Sequence, residues 1–159
     1  ELYDWLDAEP QLFHPGDLDY IHSVERIGQL SNVISINGGV QLDLMGQENA
    51  ESAGMRQLSG VGGQMDFLEG AFRSKGGKGF ICINSSRITK DGERRSNILP
   101  TIPGGSTISA PRTMIDYVAT EYGVVSLMGK SLRERAEAMA SIAHPDFREE
   151  LLQYAHDHF

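Results

Sequence analysis

Three glycines fall within four positions, Gly60, Gly62 and Gly63, inside Ser59-Gly60-Val61-Gly62-Gly63-Gln64-Met65-Asp66-Phe67. Glycine is costly to order, so such a cluster marks a place where φ is positive or where another group comes close to the backbone. The residues that follow put Phe67, Gly70 and Ala71 on one helical face. A glycine turn running into a helix N-terminus offers bare N–H groups to a negative charge: a phosphate, a carboxylate or a developing oxyanion. The same pattern also makes an ordinary tight connection. The dinucleotide fingerprint is excluded, because Met65 stands where its third glycine belongs. A P-loop is excluded as well: Gly77-Lys78 is followed by Gly79, and Phe72 occupies the place of the first glycine.

The chain of 159 residues is long enough for one domain with a proper core. Its 18 glycines suit a loop-rich α/β protein, and no three-residue period makes it collagen-like. A net charge of −8 argues against nucleic acid and anionic membrane surfaces. It leaves room for an anionic small ligand held in a local N–H-lined pocket. No apolar run is long enough to span a bilayer and no signal peptide is visible, so a cytoplasmic location is expected. The chain does not start with Met, which suggests a piece of something longer. Cys82, the single cysteine, sits in Phe80-Ile81-Cys82-Ile83 and reads as a buried, inert thiol.

Taken in order, residues 1–8 pattern as a helix with Leu2, Trp5 and Leu6 on one side. Asp19–His22 reads as a short extended piece, and Ser23 as the cap of a helix whose Val24, Ile27 and Leu30 face inward. Val33–Asn37 and Val40–Leu44 read as strands joined by a hairpin at Asn37-Gly38-Gly39, the second half-buried because it alternates. A third short strand is expected over Asn49–Ser52, a buried one over Gly79–Asn84, and another over Ser96–Pro100. Ser74–Lys78 and Lys90-Asp91-Gly92 are turns, and Met114–Thr120 and Gly123–Leu127 are strands around Glu121-Tyr122. Ser131-Leu132-Arg133-Glu134 is a capping box, opening a helix with Leu132, Ala136, Met139 and Ala143 inside. His144-Pro145 breaks it and starts the last helix, which uses Phe147, Leu151 and Tyr154. The expected fold is α/β, a mixed sheet flanked by helices.

The five histidines make no spacing typical of a metal site, so no metal is expected. His156 and His158 read as part of a solvated tail. No Gly-x-Ser-x-Gly elbow exists, and nothing identifies a base for Ser85-Ser86. Glu121 interrupts two apolar strands, which suits a strand end facing a cleft and also an ordinary exposed loop acid, the commoner place for a glutamate.

The glycine stretch resembles the Gly-x-Gly-Gly-x-x-Asp-Phe loop of the acetyl-CoA hydrolase/transferase family, class I CoA-transferases that include 4-hydroxybutyrate and acetate enzymes. Leu2-Tyr3-Asp4-Trp5, Ser35-Ile36-Asn37, Leu42–Gln47, Thr120–Gly123, Gly129–Ala136 and Ile142–Arg148 are similar to family stretches in the same order. The resemblance covers nearly the whole chain. It implies the C-terminal domain of a class I CoA-transferase, of ribose-5-phosphate isomerase-like fold, over residues 1–159.

The resemblance also implies a reaction and its residues. A glutamate attacks an acyl-CoA, CoA returns to give a glutamyl-CoA thioester, and a second carboxylate collects the CoA. Gly63 is the implied oxyanion donor, with Gly62 allowing close approach. Gly60, Gly62, Gly63 and Lys90 are implied to contact CoA. Glu121 is the implied active-site glutamate that orients neighbouring groups and is not the nucleophile. No permanently bound cofactor is implied; coenzyme A enters as substrate. The implied partners are an acyl-CoA, a small carboxylate, an N-terminal domain carrying the nucleophile, and further copies in a homo-oligomer. An acyl-CoA hydrolase or a non-catalytic CoA-binding fragment are the alternatives. One departure stands out: Tyr20-Ile21-His22-Ser23-Val24 lies where the family usually reads Tyr-Val-Asn-Asp-Pro. A histidine does not present the amide's donor and acceptor set in the same shape.

Overall fold

The computed structural model describes all 159 residues. Short helices α1 (Leu2–Ala8), α2 (Leu18–Ile21) and α3 (Val24–Gln29) come first. Strands β1 (Ile34–Gly38), β2 (Gln41–Asp43), β3 (Glu48–Asn49), β4 (Ser52–Ala53) and β5 (Arg56–Gln57) follow. Helix α4 (Gln64–Arg73) leads into β6 (Lys78–Cys82), β7 (Ser86–Ile88), β8 (Arg94–Ser96) and β9 (Ile98–Leu99). The chain closes with β10 (Tyr117–Thr120), β11 (Gly123–Ser126), α5 (Leu132–Ser141) and α6 (Pro145–His158).

The main sheet has the order β1-β6-β10-β11, with β1, β6 and β10 parallel and β11 antiparallel to β10. A smaller mixed sheet runs β3-β2-β9. The fold is therefore α/β with mixed sheets. One face of the main sheet meets the core: Ile81 and Val118 join Leu68 of α4, Met139 and Ala140 of α5, and Leu151 and Ala155 of α6 in one cluster. Gly79 lets α4 lie close, since a β-carbon there would sit 2.9 Å from Leu68. No helix is long and apolar enough to cross a membrane.

Because β1 and β6 are parallel, α4 in the crossover between them runs back along the sheet. Its C-terminal end is tied to the start of the strands: Ser74 Oγ donates to the Leu30 carbonyl and accepts from the Val33 amide. Its N-terminus therefore lies at the carboxyl edge of the strands, where open α/β sheets bind ligands. The glycine turn, Gly38-Gly39, Asn84-Ser85 and Thr120-Glu121 all belong to that edge.

Several expectations are corrected. Asp19–Ile21 is helical and His22 is the C-cap, because the Asp17 carboxylate caps the Tyr20 amide at 2.8 Å. There is no hairpin at Asn37-Gly38-Gly39: β1 pairs with β6, while β2 pairs with β3 and β9. The segment Gln41–Asp43 is buried on every residue, being held between two neighbours. Asn49–Ser52 is split between the ends of two strands, because the Asn49 side chain turns the backbone by accepting from the Glu51 and Ser52 amides. Leu30 and Leu132 point outward, 62% and 38% exposed. Cys82 is only half-buried, since it lies on the sheet face away from the core. His156 and His158 are helical, and the His158 ring stacks on Tyr154 at 3.9 Å.

Candidate active site

The glycine turn shows both uses of the residue. Gly62 has φ +61, which side chains rarely adopt, and a β-carbon on Gly63 would collide with the His22 ring. Gly60 meets neither constraint. Gly63 caps α4, and its carbonyl accepts from the Phe67 amide at 3.1 Å. The amides of Gly60, Val61, Gly62 and Gly63 donate to no protein group. This is a ready site for a negative charge, at the positive end of the helix dipole.

His22 reaches this turn from the end of α2. Its ring meets Phe67 edge-on at 5.0 Å, and its Nδ1 lies 3.8 Å from the Asp66 carboxylate. The departure at His22 thus falls against the glycine turn itself.

Beneath the turn lies a residue that sequence reasoning missed. Glu48 is fully buried, and one of its carboxylate oxygens accepts from the side-chain amide of Gln64, the first residue of α4. The other oxygen, Oε1, has no partner. Burial raises its pKa to about 7, against the Gln64 hydrogen bond and with help from nearby Glu51. Gly39 makes room for it, because a β-carbon there would sit 2.7 Å from Oε1. The glycine pair Gly38-Gly39 was the available signal, and its second member serves packing.

The β10–β11 turn lies at the same edge of the sheet. Glu121 accepts from the Ser85 hydroxyl at 2.6 Å and the Ser85 amide at 2.9 Å. Burial alone would raise its pKa, but the two Ser85 hydrogen bonds, with its own backbone and His144, hold it below the usual value. Asn97 braces this loop: its amide donates to the Ser85 carbonyl and its side chain to the Asn84 carbonyl, both at 2.8 Å. Ser85 therefore has a carboxylate partner that the sequence did not reveal. A hollow of about 410 Å³ opens at this edge, lined by Gly39, Cys82, Ile83, Asn84, Ala119 and Thr120.

Lys90 sits elsewhere, in the exposed turn between β7 and β8. No hydrogen bond or ion pair joins it to the glycine turn or to Glu121. Its hairpin also carries Arg87, Arg94 and Arg95, a cationic arm on an acidic chain. A further buried cation, Arg135, holds the fold together by donating to the carbonyls of Met45, Leu127 and Arg112 at 2.6–2.7 Å.

Residues 1–155 match the family model described as the acetyl-CoA hydrolase/transferase C-terminal domain. The chain is 44% identical over 155 residues to a butyryl-CoA:acetate CoA-transferase of Anaerostipes caccae, covering 98% of this chain and 34% of the relative. It is 46% identical over 152 residues to the 4-hydroxybutyrate coenzyme A transferase of Clostridium kluyveri, covering 96% and 34%. An acetyl-CoA hydrolase of Kluyveromyces lactis is more distant, 32% identical over 133 residues, with 82% of this chain and 23% of the relative covered. Among solved structures, RipA from Yersinia pestis superposes with a TM-score of 0.77 at 42% identity, over 87% of this chain and 30% of that one. The chain spans about a third of the length of the curated transferases it matches. It belongs to the acetyl-CoA hydrolase/transferase C-terminal domain family.

Proposed function

We propose that this chain is the C-terminal part of a CoA-transferase that moves CoA from an acyl-CoA to a free carboxylate. The observation that carries the reading is the unpaired Gly63 amide at the start of α4, on the same sheet edge as Glu121. The similarity to transferases at 44–46% identity, against 32% for a hydrolase, favours transfer over hydrolysis.

In this reading a glutamate carboxylate outside the segment attacks the thioester carbonyl. The tetrahedral oxyanion collapses, the C–S bond breaks, and CoA leaves as thiolate from a mixed acyl-glutamyl anhydride. The thiolate attacks the glutamyl carbonyl, releasing the first acid and leaving glutamyl-CoA. An acceptor carboxylate reverses these steps, so no net proton is needed. Gly63 stabilises the oxyanions through an amide fixed in advance, which avoids reorganisation at the moment of reaction. Gly62 lets the substrate approach, and Gly60 and Lys90 complete the CoA contacts. Glu121, held ionised by Ser85, orients the groups around the reacting carbonyl. Lacking the nucleophile, the segment alone is inactive. A full-length homo-oligomer in the cytoplasm, where acyl-CoA esters are made and used, completes the reading.

The test supplies the full-length protein with butyryl-CoA and acetate. Acetyl-CoA formed in step with butyrate release supports transfer. Free CoA accumulating at the same rate with or without acetate is the hydrolase outcome, and overturns it.

A further inference from the structure

The turn that carries the Gly63 amide is held at its two ends and not between them. Gly60, Val61 and Gly62 make no backbone hydrogen bond, and α4 has no side-chain cap at its start. On the near side, the Leu58 and Ser59 amides donate to the Glu51 carbonyl at 2.7 and 3.2 Å, and the Gln57 side chain donates to the Ser59 carbonyl at 2.6 Å. On the far side the hydrogen-bonding anchor is Gln64, which directly follows Gly63, is buried, and donates to Glu48. Glu48 is itself fixed by the fold. Its amide donates to the Ala110 carbonyl at 3.0 Å, its carbonyl accepts from the Ser109 amide at 2.8 Å, and β3 pairs it with Leu42.

We propose that Glu48 is a positioning residue for CoA transfer: through Gln64 it seats the Gly63 amide that meets the oxyanion. The catalytic consequence rests on the CoA-transferase reading; the seat itself does not. Being fully buried, Glu48 cannot reach substrate and acts only through Gln64. It acts as the neutral acid. Oε1 has no partner, and the space over Gly39 that it enters is otherwise walled by the Ile81 and Ile83 side chains. A carboxylate with one donor in such a place is strongly disfavoured. The surrounding charges do not relieve it. Glu51, in the next turn, repels a second negative charge. Asp43 on β2 is occupied by the Met45 and Gln47 amides, and Asp66 on α4 is half-exposed, 3.8 Å from His22. The Ser109-Ala110 segment brings no charge. Gly39 also lines the hollow at the carboxyl edge, so water is closest there. Loss of the proton draws the carboxylate toward that hollow, loosens Gln64 and unseats Gly63.

The experiment follows the full-length protein from about pH 6 to about pH 8.5 as wild type, Glu48→Gln and Gln64→Met. Two quantities are read. One is kcat for butyryl-CoA with acetate. The other is hydrogen exchange at the Phe67 amide, which donates to the Gly63 carbonyl, with the Ile83 amide in the sheet as reference. In the wild type, kcat is expected to fall at least about fivefold as pH rises across this range. Phe67 protection, corrected for the intrinsic rate, should fall at least about threefold while Ile83 keeps its own. Glu48→Gln, whose amide stays neutral, should abolish both losses. Gln64→Met keeps the shape without the donor. It should lower kcat at least about tenfold even at the acid end, with KM for butyryl-CoA within about twofold. A Glu48→Gln protein that keeps the alkaline fall overturns the proposal. So does protection lost at Phe67 and Ile83 together, because the acid then serves only the fold. Absence of CoA transfer at every pH, with the Phe67 result as expected, overturns the CoA-transferase reading and supports the seat.

Discussion

Glu48 and Glu121 face the same edge of the sheet and are driven in opposite directions. Glu48 is fully buried with one oxygen unpaired, so burial dominates and its carboxyl keeps a proton up to about pH 7. Glu121 has both oxygens paired by Ser85, and these donors outweigh its burial. Residue type is the same; the count of donors decides which form is stable. The consequence for a site that binds anions is direct. Below pH 7 a neutral carboxyl beneath the glycine turn adds no charge to repel an anion there, while an ionised one at the same sheet edge can orient neighbours.

The largest effect is expected at the glycine turn. In the full-length protein, Gly63→Val should lower kcat by about 10²–10³, the typical cost of losing one oxyanion donor. The β-carbon forces the His22 ring and the amide apart, and thermal unfolding should show that the fold survives.

Glu48→Gln sharpens the contrast through pH. The pKa of Glu48 rises from 4.5 to about 7 on folding. Its contribution to stability is therefore fully present below pH 4.5 and is lost as pH rises through 7. The loss above pH 7 amounts to up to about 3 kcal/mol, from ~1.4 kcal/mol per pKa unit. Urea unfolding of Glu48→Gln at pH 5 and pH 8 should show that slope removed, and the variant should be the more stable protein at pH 8.

Ser85→Ala acts on the other carboxylate. It should cost about 1 kcal/mol, the worth of one hydrogen bond on a solvent-accessible group. The pKa of Glu121 is lowered in the fold, so its contribution is present at neutral pH and is lost as pH falls through the folded value. The acid limb of the stability profile should become flatter in Ser85→Ala. His22→Asn should be the mildest change. It removes the edge-on contact with Phe67, worth about 0.5–1 kcal/mol, and calorimetric unfolding will measure it.

How much of this was legible in sequence divides along local and distant interactions. Ser131 with Glu134, Pro145 after His144, and the Glu121-Tyr122 turn carry their instructions within a few residues, and the structure forms each as written. The glycine turn was legible for the same reason: Gly62 needs its positive φ locally. Strand pairing was not, because β1 joins β6 more than forty residues later, and only the assembled sheet selects that partner over a hairpin at Gly38-Gly39. Glu48 looks like any surface glutamate in Gln47-Glu48-Asn49. Its burial is set by Gly39 and Gln64, which reach it from distant parts of the chain. Ser85 was visible and its partner was not, since Glu121 arrives from the next parallel strand. Arg135 sits in a helix that patterns as charged, and three distant carbonyls draw it inside.

The most direct measurement is chemical. Incubating the full-length protein with an acyl-CoA and trapping it with borohydride should reduce a glutamyl-CoA thioester, leaving an enzyme with one modified glutamate and no activity. Peptide mass spectrometry should find that residue outside this segment, and the Gly63→Val protein should trap far less. An unmodified, fully active enzyme after the same treatment, with every acyl-CoA tried, would contradict the account.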